Sequence, residues 1–197
     1  MKNSVEGSSK VSWLSLDLNN YPRKWGKGYG EMLLMDRAIQ YAHDIMGAKY
    51  VCKVTGRFAI KNIGKMLDEF TKREPLAFAL DILDNPIYRL SKTIPSGGSR
   101  TIIYAVSCDY YMRNVFRVYE LNRKKYSGAE SLMYDVWLKT RNQAGVYARF
   151  KHEPALSGWG GGKNWHWWTA NNYDGWLAKI KRGIRQLLRW IMPSLWV

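Results

Sequence analysis

The spacing of apolar positions changes several times along this chain, and each change marks an element. Val11 to Leu18 read Val-Ser-Trp-Leu-Ser-Leu-Asp-Leu, a near-alternation that predicts a strand. A loop follows, running into Lys24-Trp-Gly-Lys-Gly-Tyr-Gly30-Glu31, where three glycines at alternate positions let the backbone turn sharply and come close to a ligand. Met32, Leu33, Met35, Ala38, Ile39, Ala42, Ile45 and Met46 then recur at helical spacing, with Gly47 as the stop. Tyr50 to Val54 predict a strand that contains Lys53 and leads to Gly56 and Arg57. Ile60, Ile63, Met66, Leu67 and Phe70 share one face of a second helix. Leu76 to Leu83 and Arg100 to Cys108 predict further strands, and the link Ser91 to Ser99 is a loop by composition. Tyr110 to Leu121 and Ala129 to Thr140 predict a helical pair, and Val146 to Phe150 a short strand.

This alternation of strands and helices predicts a single α/β domain, with a mixed or mostly parallel sheet flanked by helices. Its expected bounds are a polar lead-in over 1–10, the domain over 11–172 and a terminal helix over 173–197. At 197 residues the chain holds one such domain and not two comfortable ones. The formal charge of +15 changes the picture more. It implies an anionic partner: nucleic acid, an acidic membrane surface or a phosphorylated substrate. Cys52 and Cys108 lie in apolar runs and read as reduced, buried thiols, while His43, His152 and His166 are too dispersed for a metal array. The amino terminus has no apolar signal core and no apolar run is long enough to span a bilayer, so the expected location is cytoplasmic.

Two segments carry an unusual composition. Pro154 to Trp168 interleave Gly158, Gly160, Gly161 and Gly162 with Trp159, Trp165, Trp167 and Trp168. Flat rings on a glycine loop suit sugar or base recognition, and the competing reading is that some of the rings fill a core. From Trp176 onward there is no acidic residue. Leu177, Ile180, Ile184, Leu187, Leu188 and Ile191 fall on one helical face, with Lys179, Lys181, Arg182, Arg185 and Arg189 opposite and Trp176 and Trp190 at the edge. Trp176 to Arg189 thus has the pattern of a peripheral anchor on an anionic membrane. The competing reading is a terminal helix docked on the domain with its charges in water.

Lys53 and Arg57 either hold an anionic ligand at the edge of the sheet or are surface charges flanking a turn. In order along the chain, Lys27-Gly28-Tyr-Gly30-Glu31, Lys53 to Arg57 with the nearby Asn62, Gly128-Ala-Glu130, and Pro154, Gly158 and Gly161 resemble the motifs of one family. These are the bacterial A-type-fold, nucleotide-sugar-dependent glycosyltransferases that build lipopolysaccharide and capsule. The resemblance spans roughly residues 11–165. It implies a partial nucleotide-sugar transferase fold, a nucleotide-sugar donor, a glycan or glycolipid acceptor, and work at the inner face of the plasma membrane.

It further implies that Lys53 and Arg57 contact donor phosphates or the acceptor. Lys27, Gly28, Gly30, Glu31, Gly56, Asn62, Gly158, Trp159 and Gly161 would belong to the same substrate site. Glu130 is the implied general base, activating an acceptor hydroxyl as it attacks the anomeric carbon. Glu31 reads equally well as a carboxylate favoured by a helix amino terminus. Asp109, at the end of its strand, is a second acid candidate by position alone. The resemblance fixes no cofactor and leaves manganese or magnesium as the candidate metal, while Asp81-Ile-Leu-Asp84 has the wrong spacing for the family's Asp-x-Asp motif. Either cations neutralise the leaving diphosphate without a metal, or the site is incomplete. The sequence also opens near the middle of the nucleotide-binding half, so the expected form lacks the first strand that grips the base. Two other functions compete: a non-catalytic membrane-associated partner subunit, and a nucleic-acid-binding module, against which stands the lack of any helix-turn-helix, zinc-finger or RNA-recognition signature.

Overall fold

The protein is described by a computed structural model over residues 14–16, 21–22, 25–56, 58–82, 98–121, 128–158 and 176–191. Of the strand expected over 11–18, residues 14–16 fall in this range and have no regular structure. The lead-in over 1–10, Arg57, Trp159, Gly161 and the remaining tryptophans of the glycine-rich segment lie outside it.

Within the loop expected over 24–31, the residues from Gly26 onward instead begin a helix, α1, Gly26–Asp44. Glycine inside a helix costs about 1 kcal/mol relative to alanine, so its presence needs a packing reason. At Gly28 an added Cβ would stand 2.5 Å from the Cα of Gly128, and at Gly30 it would collide with the Tyr21 ring. These glycines therefore serve close approach between protein segments. Gly47, at φ +63°, follows the helix as predicted, because its left-handed backbone favours glycine.

Strand β1, Tyr50–Val54, coincides with the predicted run. The short strand β2, Phe58–Ile60, and helix α2, Ile63–Thr71, come next. They are followed by β3, Phe78–Ile82, and the long β4, Ser99–Ser107. The helical pair is α3, Cys108–Asn114, with a short α4, Val118–Leu121, and then α5, Ala129–Thr140. The last elements are β5, Val146–Tyr147, β6, Leu156–Gly158, and α6, Trp176–Ile191. The main sheet has the order β1-β4-β3-β5. Its β1/β4 and β3/β4 pairs are antiparallel and its β3/β5 pair is parallel. The sheet is mixed, and the mostly parallel arrangement does not hold. A sequence period identifies strands but not their direction. A second sheet pairs β2 with β6 antiparallel, so residues 156–158, expected in a loop, form a strand. Three residues are too few to show a period.

Side chains alternate across the sheet, and each set meets its own cover. Phe78, Leu80, Tyr104 and Val106 join Met32 and Ile39 of α1 and Leu132, Met133 and Val136 of α5. Ala79, Ile103 and Ala105 join Met66 and Phe70 of α2 with Ile60, Phe150 and Leu156. The result is three layers: α1, α3 and α5, then the main sheet, then α2 with the small sheet. One carboxylate sits inside the first layer. Asp36 of α1 is buried and accepts hydrogen bonds from the Tyr111 hydroxyl and the Arg117 backbone N–H, each at 2.9 Å. Burial pushes its carboxyl up to about 6, against the lowering effect of those donors.

Helix α6 forms where it is expected, but it docks by its polar side. Arg189 is buried, and its guanidinium donates to both carboxylate oxygens of the buried Asp81 at 3.0 Å each, and to the Phe150 carbonyl at 3.2 Å. Gln186 accepts from the Glu153 backbone N–H at 3.0 Å and donates to the Lys151 carbonyl. Arg189 is thus not one of the free cations of the expected anchor. A buried carboxylate in β3 requires a countercharge, which helical periodicity does not reveal. The side chains of Lys181, Arg182 and Arg185 lie outside the described residues.

Two outcomes test this architecture. Gly28→Ala destabilises the protein by roughly 1–3 kcal/mol despite alanine's better helix propensity, since the new methyl meets Gly128 backbone; a denaturant melt reads the change. Because the folded carboxyl of Asp36 titrates at about 6 rather than 3.8, its favourable contribution is complete below about 3.8 and is lost as pH rises through about 6. The stability of the wild type relative to Asp36→Asn accordingly falls with rising pH across that window, measured by thermal melts at stepped pH.

Candidate functional site

Two helix starts and one end of the main sheet converge. Gly28 on α1 touches Gly128, the residue capping α5, so the segments Lys27–Glu31 and Gly128–Glu130 are neighbours although about a hundred residues separate them. Beside this contact, Lys53 projects from β1. Its side chain is only 9 % exposed, and its ammonium donates to Glu31 Oε1 at 2.8 Å, to Thr55 Oγ1 at 2.7 Å and to the Thr101 carbonyl. The same ammonium lies 5.7 Å from the centre of the Tyr104 ring. An ammonium has three protons to donate, and here all three are placed. Lys53 is therefore an internal tether and not a surface charge beside a turn.

Thr101 extends the chain of contacts. Its hydroxyl donates to Glu130 Oε1 at 3.4 Å, while Ser99 Oγ donates to the Glu130 backbone carbonyl at 2.8 Å. Glu130 occupies the first turn of α5 and is exposed, a position where the helix dipole favours a carboxylate. Glu31, Lys53, Thr101 and Glu130 form one polar row, with a buried cation at its middle and two accessible carboxylates at its ends. Such a row offers a fixed proton acceptor on a rigid frame. Lys27, exposed in the first turn of α1, lies on the adjacent segment, and Gly56 stands in open space after β1.

The other expected residues lie elsewhere. Asn62 precedes α2, and its amide is used within the protein: it donates to the Glu153 carbonyl at 2.9 Å and accepts from the Ala155 N–H at 2.7 Å. It pins the approach to β6, whose Gly158 pairs with Phe58. Asp109 is not part of the row. It follows β4 at the Ser107 end, whereas Glu130 meets Ser99 and Thr101 at the other, about 20–26 Å away along an extended strand. Its side chain is 79 % exposed and lies 3.7 Å from His43. Asp109 and Glu130 cannot act on the same atom.

The candidate metal finds no fitting ligands among the described residues. Both oxygens of Asp81 are held by Arg189, Asp84 lies outside the described residues, and no group of three or more His, Cys, Asp or Glu is placed to bind a metal. Cys52 and Cys108 are free thiols, and burial pushes Cys52 up to about 11, which leaves it little thiolate. Thr55 and Thr101, which complete the row, carry no sequence signal beyond a polar residue at the end of an apolar run. Set against known proteins, the chain matches no family model, no curated protein and no solved structure.

Lys53→Ala removes the centre of the row. It is expected to cost about 2 kcal/mol, because Glu31, Thr55 and Thr101 lose a shared donor in a partly buried setting. The measurement is a urea melt, read against Lys27→Ala, which changes stability by less than about 0.5 kcal/mol as an exposed surface substitution.

Proposed function

We propose that the protein is a glycosyltransferase-type domain that binds a nucleotide-sugar donor and passes the sugar to a glycan or glycolipid acceptor of surface polysaccharide at the inner face of the plasma membrane. The observation that carries this reading is the convergence of the Lys27–Glu31, Lys53 and Gly128–Glu130 segments, the first and last of which meet at Gly28 and Gly128. In the proposed reaction Glu130 takes the proton of an acceptor hydroxyl as its oxygen bonds to the anomeric carbon. The bond from that carbon to the diphosphate breaks, and its electron pair leaves on the phosphate oxygen. Arg57 and Lys27 are the proposed cations for the diphosphate, aided by the amino-terminal ends of α1 and α5. Lys53 holds the frame, and no step passes through a metal.

One observation favours a second reading, a non-catalytic partner subunit. Lys53 is already neutralised by Glu31, so it has no unspent charge for a phosphate. Thermal shifts with nucleotide sugars and free nucleotides, with and without manganese or magnesium, separate the two. A donor at about a hundredfold its dissociation constant adds roughly 2.7 kcal/mol. The transferase reading expects such a shift with one donor class, its loss in Arg57→Ala, and its retention in Glu130→Gln with transfer slowed by about 10²–10⁴. No shift with any donor turns the reading to the partner subunit.

A further inference from the structure

The docking of α6 leaves a stripe of its apolar side chains in water, with Leu188 half-buried beside it. Trp176, Ile180, Ile184, Leu187 and Ile191 follow at steps of four, four, three and four residues, which places them in one stripe along the helix. With Trp190 at its margin, the stripe is exposed throughout: Trp176 69 %, Ile180 50 %, Ile184 54 %, Leu187 57 %, Trp190 67 % and Ile191 66 %. A terminal helix that merely completed a core would turn these residues inward. Here the inward positions are Gln186 and Arg189, each held by two hydrogen-bonding partners of the domain. The charged clamp to Asp81 thus sets the rotation of the helix and holds the apolar stripe outward.

We infer that α6 seats the protein on an anionic lipid bilayer, lying in the interface with this stripe immersed. The inference stands apart from the transferase reading, because it uses no residue of the Glu31–Glu130 row. Tryptophans near both ends of the stripe suit the headgroup level, where an indole keeps its ring apolar and its N–H wet. Lys179 is exposed, and the helix sequence adds Lys181, Arg182 and Arg185 with no acidic residue. A charge of +15 opposes the pairing of two copies through this face and draws it to anionic headgroups. No helix among the described residues is long and apolar enough to cross a membrane, so the seat is on the surface.

Flotation of the full chain with phosphatidylcholine vesicles containing roughly one-quarter phosphatidylglycerol, and with pure phosphatidylcholine, tests this. The full chain floats with the anionic vesicles and far less with the neutral ones. Ile184→Ser combined with Leu187→Ser lowers the partition coefficient roughly tenfold or more, with circular dichroism unchanged because both positions are exposed. Lys179→Gln lowers it roughly fivefold and keeps the stripe intact. No flotation on anionic vesicles, or flotation unaffected by either variant, overturns the inference. So does sedimentation showing a dimer that the paired serine substitution dissociates, because a second copy then covers the stripe. Release of bound protein only by nuclease treatment of the preparation likewise overturns it, assigning the surface to nucleic acid.

Discussion

A buried ammonium governs the geometry of this protein. Lys53 is nearly enclosed, and an enclosed cation is tolerated only when its charge is matched and its protons are placed. Glu31 matches the charge, and Thr55 and the Thr101 carbonyl take the remaining protons. Those partners belong to α1, to the end of β1 and to β4, so one requirement draws three elements to a point. Thr101 in turn reaches Glu130 and fixes the start of α5 beside the start of α1. The two helices can come this close because Gly28 carries no side chain where it meets the Gly128 backbone.

Buried and half-buried side chains also hold the segment between β5 and β6. Between β5 and β6, residues 148–155 form no regular element. Glu69 of α2 accepts from the backbone N–H groups of Lys151 and His152 at 2.6 and 3.1 Å, and it also pairs with Arg73. Asn62 holds Glu153 and Ala155, and Gln186 holds Lys151 and Glu153. Backbone groups that cannot join a strand must find side-chain partners when they are removed from water. The short β2/β6 sheet survives because these bonds, together with Leu156 and Phe150 in the core, keep its two strands in register.

Charge is therefore divided between two tasks. Lys53, Arg73 and Arg189 are spent inside, each against a carboxylate. The formal charge of +15 over the whole sequence sets the kind of partner the protein attracts. The Arg189–Asp81 pair joins the tasks. By satisfying a buried carboxylate of β3 it also fixes which side of α6 faces outward.

Periodicity alone was enough for elements with a long apolar pattern. β1 and α5 coincide with their predicted runs, α2, β3 and β4 lie within a few residues of theirs, and α1 covers most of its run but starts six residues earlier, because a face that must be buried leaves a repeated mark in the sequence. The segments that build the candidate row were singled out in the sequence, Lys27–Glu31 by its glycines, Lys53 as a cation at a strand end, and Gly128–Glu130 through the family resemblance alone. Their meeting was not, since nothing local records that Gly28 lies against Gly128. Nor could the sequence distinguish a glycine that frees a loop from one that admits a neighbour, and so the expected loop is helix from Gly26 onward. Strand direction, the three-residue pair β2 and β6, and the separation of Asp109 from Glu130 are likewise long-range facts. The helix of Trp176–Ile191 shows the division most plainly. Its two faces are written in the spacing of its residues, but which face turns inward was decided in the tertiary structure, where Arg189 clamps both oxygens of the buried Asp81.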